Sequence, residues 1–292
     1  MLLLFACILV YCVSNVGNKE YGRRFPGTFP GVTIQNSIAI TCISLLMLVA
    51  GGAKPMSSYM TLLAALYGVV YAATMFLLVF ALSVGPMGTT SLICNMGAIL
   101  SILYGILFCG EKLTVFNVTG AVCMIVVAIL SRPSAEKKSL EHRQQVRWFL
   151  LTLASTLGNG ILACVKKSMG VNHPEVSTAQ FMFWAYSSAA LVCWILFLVQ
   201  YLRGERFREW LSRPRELLLC AAAGGLGSGG GTFLQIGALK TLPTIVVFPT
   251  CTGLMPVILT LISIYYYKEV KLSVKVISAL ALCAVGAVLM NL

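Results

Sequence analysis

Residues 59–82 read YMTLLAALYGVVYAATMFLLVFAL, a continuous apolar stretch of 24 residues without a charged side chain. A helix needs about 20 predominantly apolar residues to cross a bilayer, so this stretch is predicted to be a transmembrane helix. The rest of the chain holds comparable stretches at 1–18, 32–51, 88–108, 114–131, 148–165, 177–202, 217–239, 243–267 and 273–291. We therefore predict ten membrane-spanning helices.

Charged residues avoid these ten stretches. Of the 30 Lys, Arg, Asp and Glu side chains, 29 lie outside them, and the exception, Lys275, is two residues inside the last one. A charge at the centre of a bilayer costs about 2.5–3.5 kcal/mol on insertion scales, which explains this distribution. The stretches are continuous and do not alternate apolar with polar residues, so they favour helices over barrel strands. The predicted fold class is an all-α, polytopic integral membrane protein.

The overall composition supports the same class. The chain has 292 residues, of which 59% are hydrophobic and 10% charged, with a mean hydropathy of +0.90. An ordinary soluble domain carries about 25% charged residues. This composition excludes a water-soluble globular protein, and it also excludes a disordered chain, which needs high polarity.

The net charge of +12 has a topological explanation. The basic residues lie in short loops and form no single basic face, so we expect no nucleic-acid partner. If the loops alternate between the two sides of the membrane, one side receives 16 of the 21 Lys and Arg residues, counting Lys275. Basic loops stay in the cytoplasm. The loop charges therefore place both termini outside the cytoplasm.

An internal repeat relates the two halves of the chain. With an offset of 157 residues, 62–82 aligns with 219–239, and Pro86 aligns with Pro243. The charged linker 132–147 separates residues 1–131, with five predicted helices, from residues 148–292, with five more. A unit with an odd number of spans ends on the opposite face, so the second copy is inserted upside down. Two inverted five-helix repeats are expected to enclose a central cavity.

Two short motifs suggest a family. Ser14 and the stretch from Asn15 to Lys19 close the first predicted helix, and the turn Gly110–Thr114 (Gly-Glu-Lys-Leu-Thr) follows the fourth. With the five-plus-five arrangement, the chain resembles the EamA type of the drug/metabolite transporter superfamily over essentially its whole length. The second copy of the turn, Lys268–Ser273, lacks the glycine and has one more residue.

This resemblance implies a monomeric permease in a bacterial plasma membrane. Such a protein moves small organic solutes, often amino acids or other metabolites outward, through a cavity lined by helices 1, 3, 4, 6, 8 and 9. The family is drawn with cytoplasmic termini, whereas the loop charges place the termini on the other side.

Amide side chains inside the predicted helices are the first candidates for a solute site, because a polar group in hydrocarbon needs a partner or a wet cavity. Asn15, Asn95, Asn159 and Gln235 lie on helices that the family uses for its cavity. Hydrogen bonding between helices, at about 1 kcal/mol per bond, is the alternative role. Gln35, Asn36 and Gln180 lie near the ends of their stretches, where they can meet lipid headgroups.

The eighth and ninth predicted helices contain glycines and prolines, which change how the backbone packs and bonds. Pro249 and Pro256 each remove an amide hydrogen and free a carbonyl one turn earlier. Beside a cavity, these carbonyls and the hydroxyls of Thr250 and Thr252 could bind a solute; a proline kink satisfied by a neighbouring hydroxyl is the alternative. The eighth helix is rich in glycine between Gly224 and Gly231, which favours close helix packing over a moving gate.

The absent residue types limit the mechanism. The predicted helices contain no Asp, Glu or His, so no buried acid is available to couple proton exchange to a cationic solute. Lys166 and Lys167 follow the sixth stretch, where anchoring of the helix end is favoured over attraction of an anionic solute. Catalytic sets, phosphate loops and metal-ligand spacings are missing. We expect no enzymatic activity, no metal and no cofactor.

The sequence thus predicts a permease that works by alternating access on a neutral or zwitterionic metabolite, as an exporter or facilitator. Asn15, Asn95, Asn159, Gln235, Thr250 and Thr252 are the predicted substrate-binding residues. The expected partners are the solute and the lipid bilayer. Two alternatives remain open: a lipid-linked sugar flippase of the same architecture, and a membrane assembly partner that transports nothing.

Overall fold

The computed structural model describes residues 2–25, 28–97, 100, 103–104, 107–108, 115–130, 142–172, 176–205, 207–241, 244–268 and 273–289. Within this part of the chain the regular structure is helical, without a strand. The helices are α1 (Leu2–Arg24), α2 (Phe29–Val49), α3 (Ser58–Val84), α4 (Met87–Cys94), α5 (Val115–Leu130), α6 (His142–Asn172), α7 (Thr178–Leu202), α8 (Pro214–Thr241), α9 (Thr244–Tyr265) and α10 (Val274–Leu289). A 3-10 turn, Asn95–Gly97, follows α4, and a single helical turn, Arg208–Leu211, precedes α8.

Five of the described helices are long and apolar enough to cross a membrane. They are Phe29–Val49, Ser58–Val84, Arg143–Lys166, Thr178–Leu202 and Pro214–Ala238. The predictions of an all-helical protein and of transmembrane helices are therefore confirmed. The chain is compatible with a multi-pass integral membrane protein.

Two helices continue six or more residues beyond one end of the apolar stretches that predict them. Helix α1 continues past residue 18 to Arg24, and α6 begins at His142, inside the predicted linker, and continues past residue 165 to Asn172. A search for apolar stretches finds only the apolar part of a helix. It misses polar helix ends that contact neighbouring helices. The motif Gly110–Thr114 and residues 269–272 lie outside the described residues.

Local signals position the ends of the long helices. The Ser57 and Ser177 hydroxyls accept hydrogen bonds from the backbone N–H groups of Met60 (3.4 Å) and Gln180 (3.2 Å), so each serine caps the helix that follows. Helix α3 ends at Gly85, and Pro86 leads into α4. Proline fits the start of a helix, because its missing N–H would have no partner there.

The outer surface is apolar, as expected where lipid surrounds a protein. On α7 the exposed side chains Leu191, Ile195, Leu198 and Leu202 recur at helical spacing, and Leu202 is 74% exposed. Exposed apolar patches of this extent are unusual on soluble monomers. This stripe therefore favours contact with acyl chains.

Three pairs of helices pack in antiparallel fashion. Along α1, Gly17 lies against Ala223 and Ser14 against Gly227 of α8, so the residue numbers run in opposite directions. Helices α3 and α6 pack in the same way, with Trp148 against Gly85 and Gly158 against Thr74.

Helices α2 and α7 are also antiparallel. Thr33 bonds Gln200 at 2.9 Å, and further along α2 Ser44 bonds Ser187 at 2.8 Å. Helix α5 packs on α10, and α4 packs on α9.

The glycines of α8 allow close approach of neighbouring helices. A Cβ on Gly225 would meet the backbone carbonyl of Ala39 in α2, and one on Gly227 would lie 2.6 Å from the backbone nitrogen of Ser14 in α1. Close helix packing is therefore observed at these two glycines. On α3, a Cβ on Gly68 would meet the backbone of Ala185 in α7.

Candidate functional site

A cavity of about 220 Å³ lies between the helices of the two halves of the chain. Its wall is formed by side chains of α1, α3, α6, α8 and α9 together with the end of α4 and the turn after it. These are the six helices that the family resemblance assigns to its cavity. The wall combines amides, hydroxyls and tyrosine rings with apolar side chains such as Met75 and Leu78.

The structure brings three of the predicted site residues together in this wall: Asn15, Asn159 and Gln235. The Asn15 amide donates a 3.0 Å hydrogen bond to the Tyr11 carbonyl of its own helix. Gln235 accepts a 3.2 Å hydrogen bond from the Tyr11 hydroxyl.

The other predicted site side chains, those of Asn95, Thr250 and Thr252, lie outside the described residues. Their neighbours Cys94, Gly97 and Cys251 line the cavity. Helix α9 runs without a break through Pro249 and Pro256. Solute binding by the α9 backbone stays a prediction.

Tyrosines of α1 and α3 form a further part of the wall. The Tyr11 hydroxyl lies 2.9 Å from the Thr232 hydroxyl, and the Tyr71 hydroxyl lies 2.8 Å from that of Ser228. The Tyr67 and Tyr71 rings are stacked with centroids 6.4 Å apart. Their spacing of four residues puts them on one helix face, which is the signal available in the sequence.

Lys166 also lines the cavity, so its interpretation as an anchor at the helix end is wrong. The apolar stretch stops at residue 165, but α6 continues to Asn172. Lys166 is therefore more than one turn from the end of its helix. Sequence reasoning placed it at the end of the helix because it equated the end of the apolar stretch with the end of the helix.

Gln35 and Asn36 lie inside the helix bundle. Both side chains are fully buried, and the Gln35 amide donates a 2.9 Å hydrogen bond to the side-chain oxygen of Asn18 in α1. Since α2 begins at Phe29, these residues lie beyond its first turn, at the contact with α1 and α8. The Gln35 amide is hydrogen-bonded between helices, whereas both polar atoms of the Asn36 side chain are buried without a hydrogen-bond partner in the described part of the chain.

A buried layer closes the cavity at the C-terminal end of α1. We call Lys19, Leu82, Gly85, Thr90 and Trp148 the closing layer. The Lys19 ammonium donates to the carbonyls of Leu82 (3.1 Å) and Gly85 (2.8 Å), and the Trp148 indole N–H donates to the Thr90 hydroxyl at 3.0 Å. Lys19 and Leu82 lie one turn beyond the lining residues Asn15 and Leu78. Both side chains are buried.

Charged side chains lie outside the closing layer. Arg24 pairs with Glu20 at 3.1 Å and with Glu216, at the start of α8, at 3.5 Å, and the Arg23 guanidinium lies 5.2 Å from the centre of the Tyr267 ring. Exposed ion pairs contribute about 0–1 kcal/mol.

Comparison with known proteins is informative about the fold alone. No family model and no curated protein matches the chain. A solved structure described as "Crystal structure of protein" is similar, with a TM-score of 0.62 and 19% sequence identity, and the match covers 99% of this chain and 94% of that one. The likeness therefore extends over nearly the entire helical arrangement.

Proposed function

We propose that the chain is a permease that moves a small organic metabolite across the membrane by alternating access, as an exporter or facilitator. The observation that carries this proposal is a cavity between helices of both halves whose wall combines amides and hydroxyls with apolar side chains. A cavity of about 220 Å³ is smaller than the roughly 300–1,000 Å³ of drug-sized sites. It fits a metabolite better than a bulky drug.

We further propose that all ten apolar stretches cross the membrane as two inverted five-helix repeats. Helices α2 and α7, which the repeat makes equivalent, run antiparallel, and parallel copies would not place them so. The repeat makes α1 equivalent to α6 and α8 equivalent to α3, so a contact of α1 with α8 should recur between α6 and α3. Both pairs of helices are in contact. Tyr71 and Ser228, which bond each other, are separated by the repeat offset of 157 residues.

This arrangement suggests how access alternates. The closing layer joins the halves where Trp148 of α6 bonds Thr90 of α4. A rocking motion of one half against the other would separate Trp148 from Thr90 and Gly85 and open the cavity at this face. Asn15, Asn159 and Gln235 would hold the solute from both halves, so binding would bring the halves together.

The simultaneous replacement of Asn15, Asn159 and Gln235 by alanine is expected to reduce solute flux at least tenfold. Each lost hydrogen bond to an uncharged partner contributes about 0.5–1.5 kcal/mol, and 1.4 kcal/mol is a factor of ten. The measurement is uptake and efflux by proteoliposomes, assayed with amino acids, sugars and nucleosides. Gln144→Ala, an exposed amide on α6, is the control. Undiminished flux in the triple variant places the site elsewhere, and no flux of any solute by the wild type rejects the permease.

Cysteine labelling tests the inverted topology. Ala53 and Glu205 are exposed residues in the equivalent loops after α2 and α7. Single Ala53→Cys and Glu205→Cys variants are expected to react with an impermeant maleimide from opposite sides of oriented vesicles. The wild type, with its 11 native cysteines, measures the background. Labelling of both from the same side contradicts inverted repeats, and the labelled side decides between the two predicted orientations.

A further inference from the structure

The charge of the cavity wall is unbalanced in the described part of the chain. Lys166 lines the cavity, and the described lining residues include no carboxylate and no other cationic side chain. All nine acidic residues of the chain are glutamates outside the ten apolar stretches. The described ones, Glu20, Glu205, Glu209 and Glu216, lie in loops or near helix ends.

No described carboxylate lies in the cavity wall to balance the charge of Lys166. The titratable groups beside it in the described part of the chain are the thiols of Cys7 and Cys251. An ammonium has three donors and no acceptor, and a charge held among apolar helices is costly unless it is paired. An anionic group in the cavity would reduce this cost.

We infer that the cavity binds solutes through a carboxylate, with the Lys166 ammonium as its counter-ion. This inference rests on the proposed permease function and names its substrate class. It replaces the expectation of a neutral solute, while a zwitterion, which carries a carboxylate, remains suitable.

The number of charges selects a monocarboxylate over a phosphate ester. One ammonium balances one negative charge, whereas a phosphate monoester carries about 1.5–2 negative charges at pH 7. The surplus charge would stay unpaired where the effective dielectric constant is low, and there it is expensive. Phosphate sites also favour the bidentate donors of arginine, and the described wall contains no arginine.

Geometry along α6 orients such a solute. Asn159 and Lys166 are separated by seven residues, which puts them on the same helix face about 10 Å apart. Both line the cavity. With its carboxylate at Lys166, a solute can direct a polar end toward Asn159 and Asn15, and an apolar body can contact the rings of Tyr67 and Tyr71.

Equilibrium binding to the purified full-length protein tests the assignment. The probes are isovalerate and 3-phenylpropanoate, compared with isovaleramide and 3-phenylpropanamide, which have the same shape without the charge. Isothermal titration is expected to show that the wild type binds each acid at least about tenfold more tightly than its amide. Lys166→Gln is expected to abolish this preference, and Lys166→Arg to keep most of it. Arg143→Gln, which removes an exposed charge from the same helix, is expected to leave it unchanged.

Two results would overturn the assignment. One is that the wild type binds acid and amide with equal affinity, or binds neither detectably. This comparison does not depend on the folding of any variant. The other is an acid preference that survives in folded Lys166→Gln. Failure of the permease function looks different: the acids bind through Lys166, but proteoliposomes show no flux of any solute. Flux without acid preference rejects the carboxylate site and keeps the permease.

Discussion

Trp148→Ala is expected to cause the largest loss of stability of any single substitution considered for this protein. Trp148 is fully buried, packs against Gly85 and donates a hydrogen bond to Thr90. Replacing a buried tryptophan by alanine costs about 3–5 kcal/mol in protein cores, because the cavity left behind collapses only partly. The measurement is the apparent melting temperature of the purified protein in detergent.

Two comparisons separate packing from hydrogen bonding at Trp148. Thr90→Val keeps the shape of the partner and leaves the indole N–H unbonded, which is expected to cost about 1–3 kcal/mol. Trp194→Ala removes a tryptophan that is 41% exposed on the outer surface, so its effect is expected to be smaller. If Trp148→Ala melts no earlier than Trp194→Ala, the closing layer does not hold the two halves together.

Gly225→Ala is expected to destabilise the protein by about 1–3 kcal/mol, the usual cost of overpacking a close contact. The new methyl group would meet the carbonyl oxygen of Ala39 in the α2 backbone. A backbone atom cannot turn aside as a flexible side chain can, so the two helices must separate. A lower apparent melting temperature and weaker expression in the membrane are the expected readouts.

Gly230→Ala is the matched control, five residues further along α8. Its methyl group would lie 3.5 Å from a Val10 methyl, an ordinary van der Waals distance. Alanine is about 1 kcal/mol better than glycine in a helix, so this variant is expected to be neutral or more stable. Gly68→Ala, at the position equivalent to Gly225 in the other half, is expected to behave like Gly225→Ala. Equal effects at Gly225 and Gly230 would contradict the close approach of α2 and α8.

One rule selected the amide candidates, namely that a polar group in hydrocarbon needs a partner or a cavity. Asn15, Asn159 and Gln235 meet in one wall. The same rule could not separate them from Gln35, an amide of the same kind that bonds Asn18 between helices. That distinction depends on which face of each helix meets which neighbour, and a list of apolar stretches does not contain this information.

Lys166 shows the second limit of sequence reasoning. The apolar stretch ends at residue 165, and a lysine directly after such a stretch is typical of an anchor at the membrane surface. Helix α6 continues, and its packing against α3 and α4 turns this lysine toward the cavity. Lys19 is a similar case: it follows the first apolar stretch, yet it is buried and bonds the end of α3.

The amino-acid sequence by itself determined that the chain is helical and suited to a membrane, because hydrocarbon excludes charges and unpaired backbone groups in any fold. Only the tertiary structure decided which polar side chains share a cavity, which of them bond one another, and that a lysine faces this cavity. Those outcomes depend on helix rotation and on the glycine contacts between helices. Both are set by side chains that are far apart in the sequence.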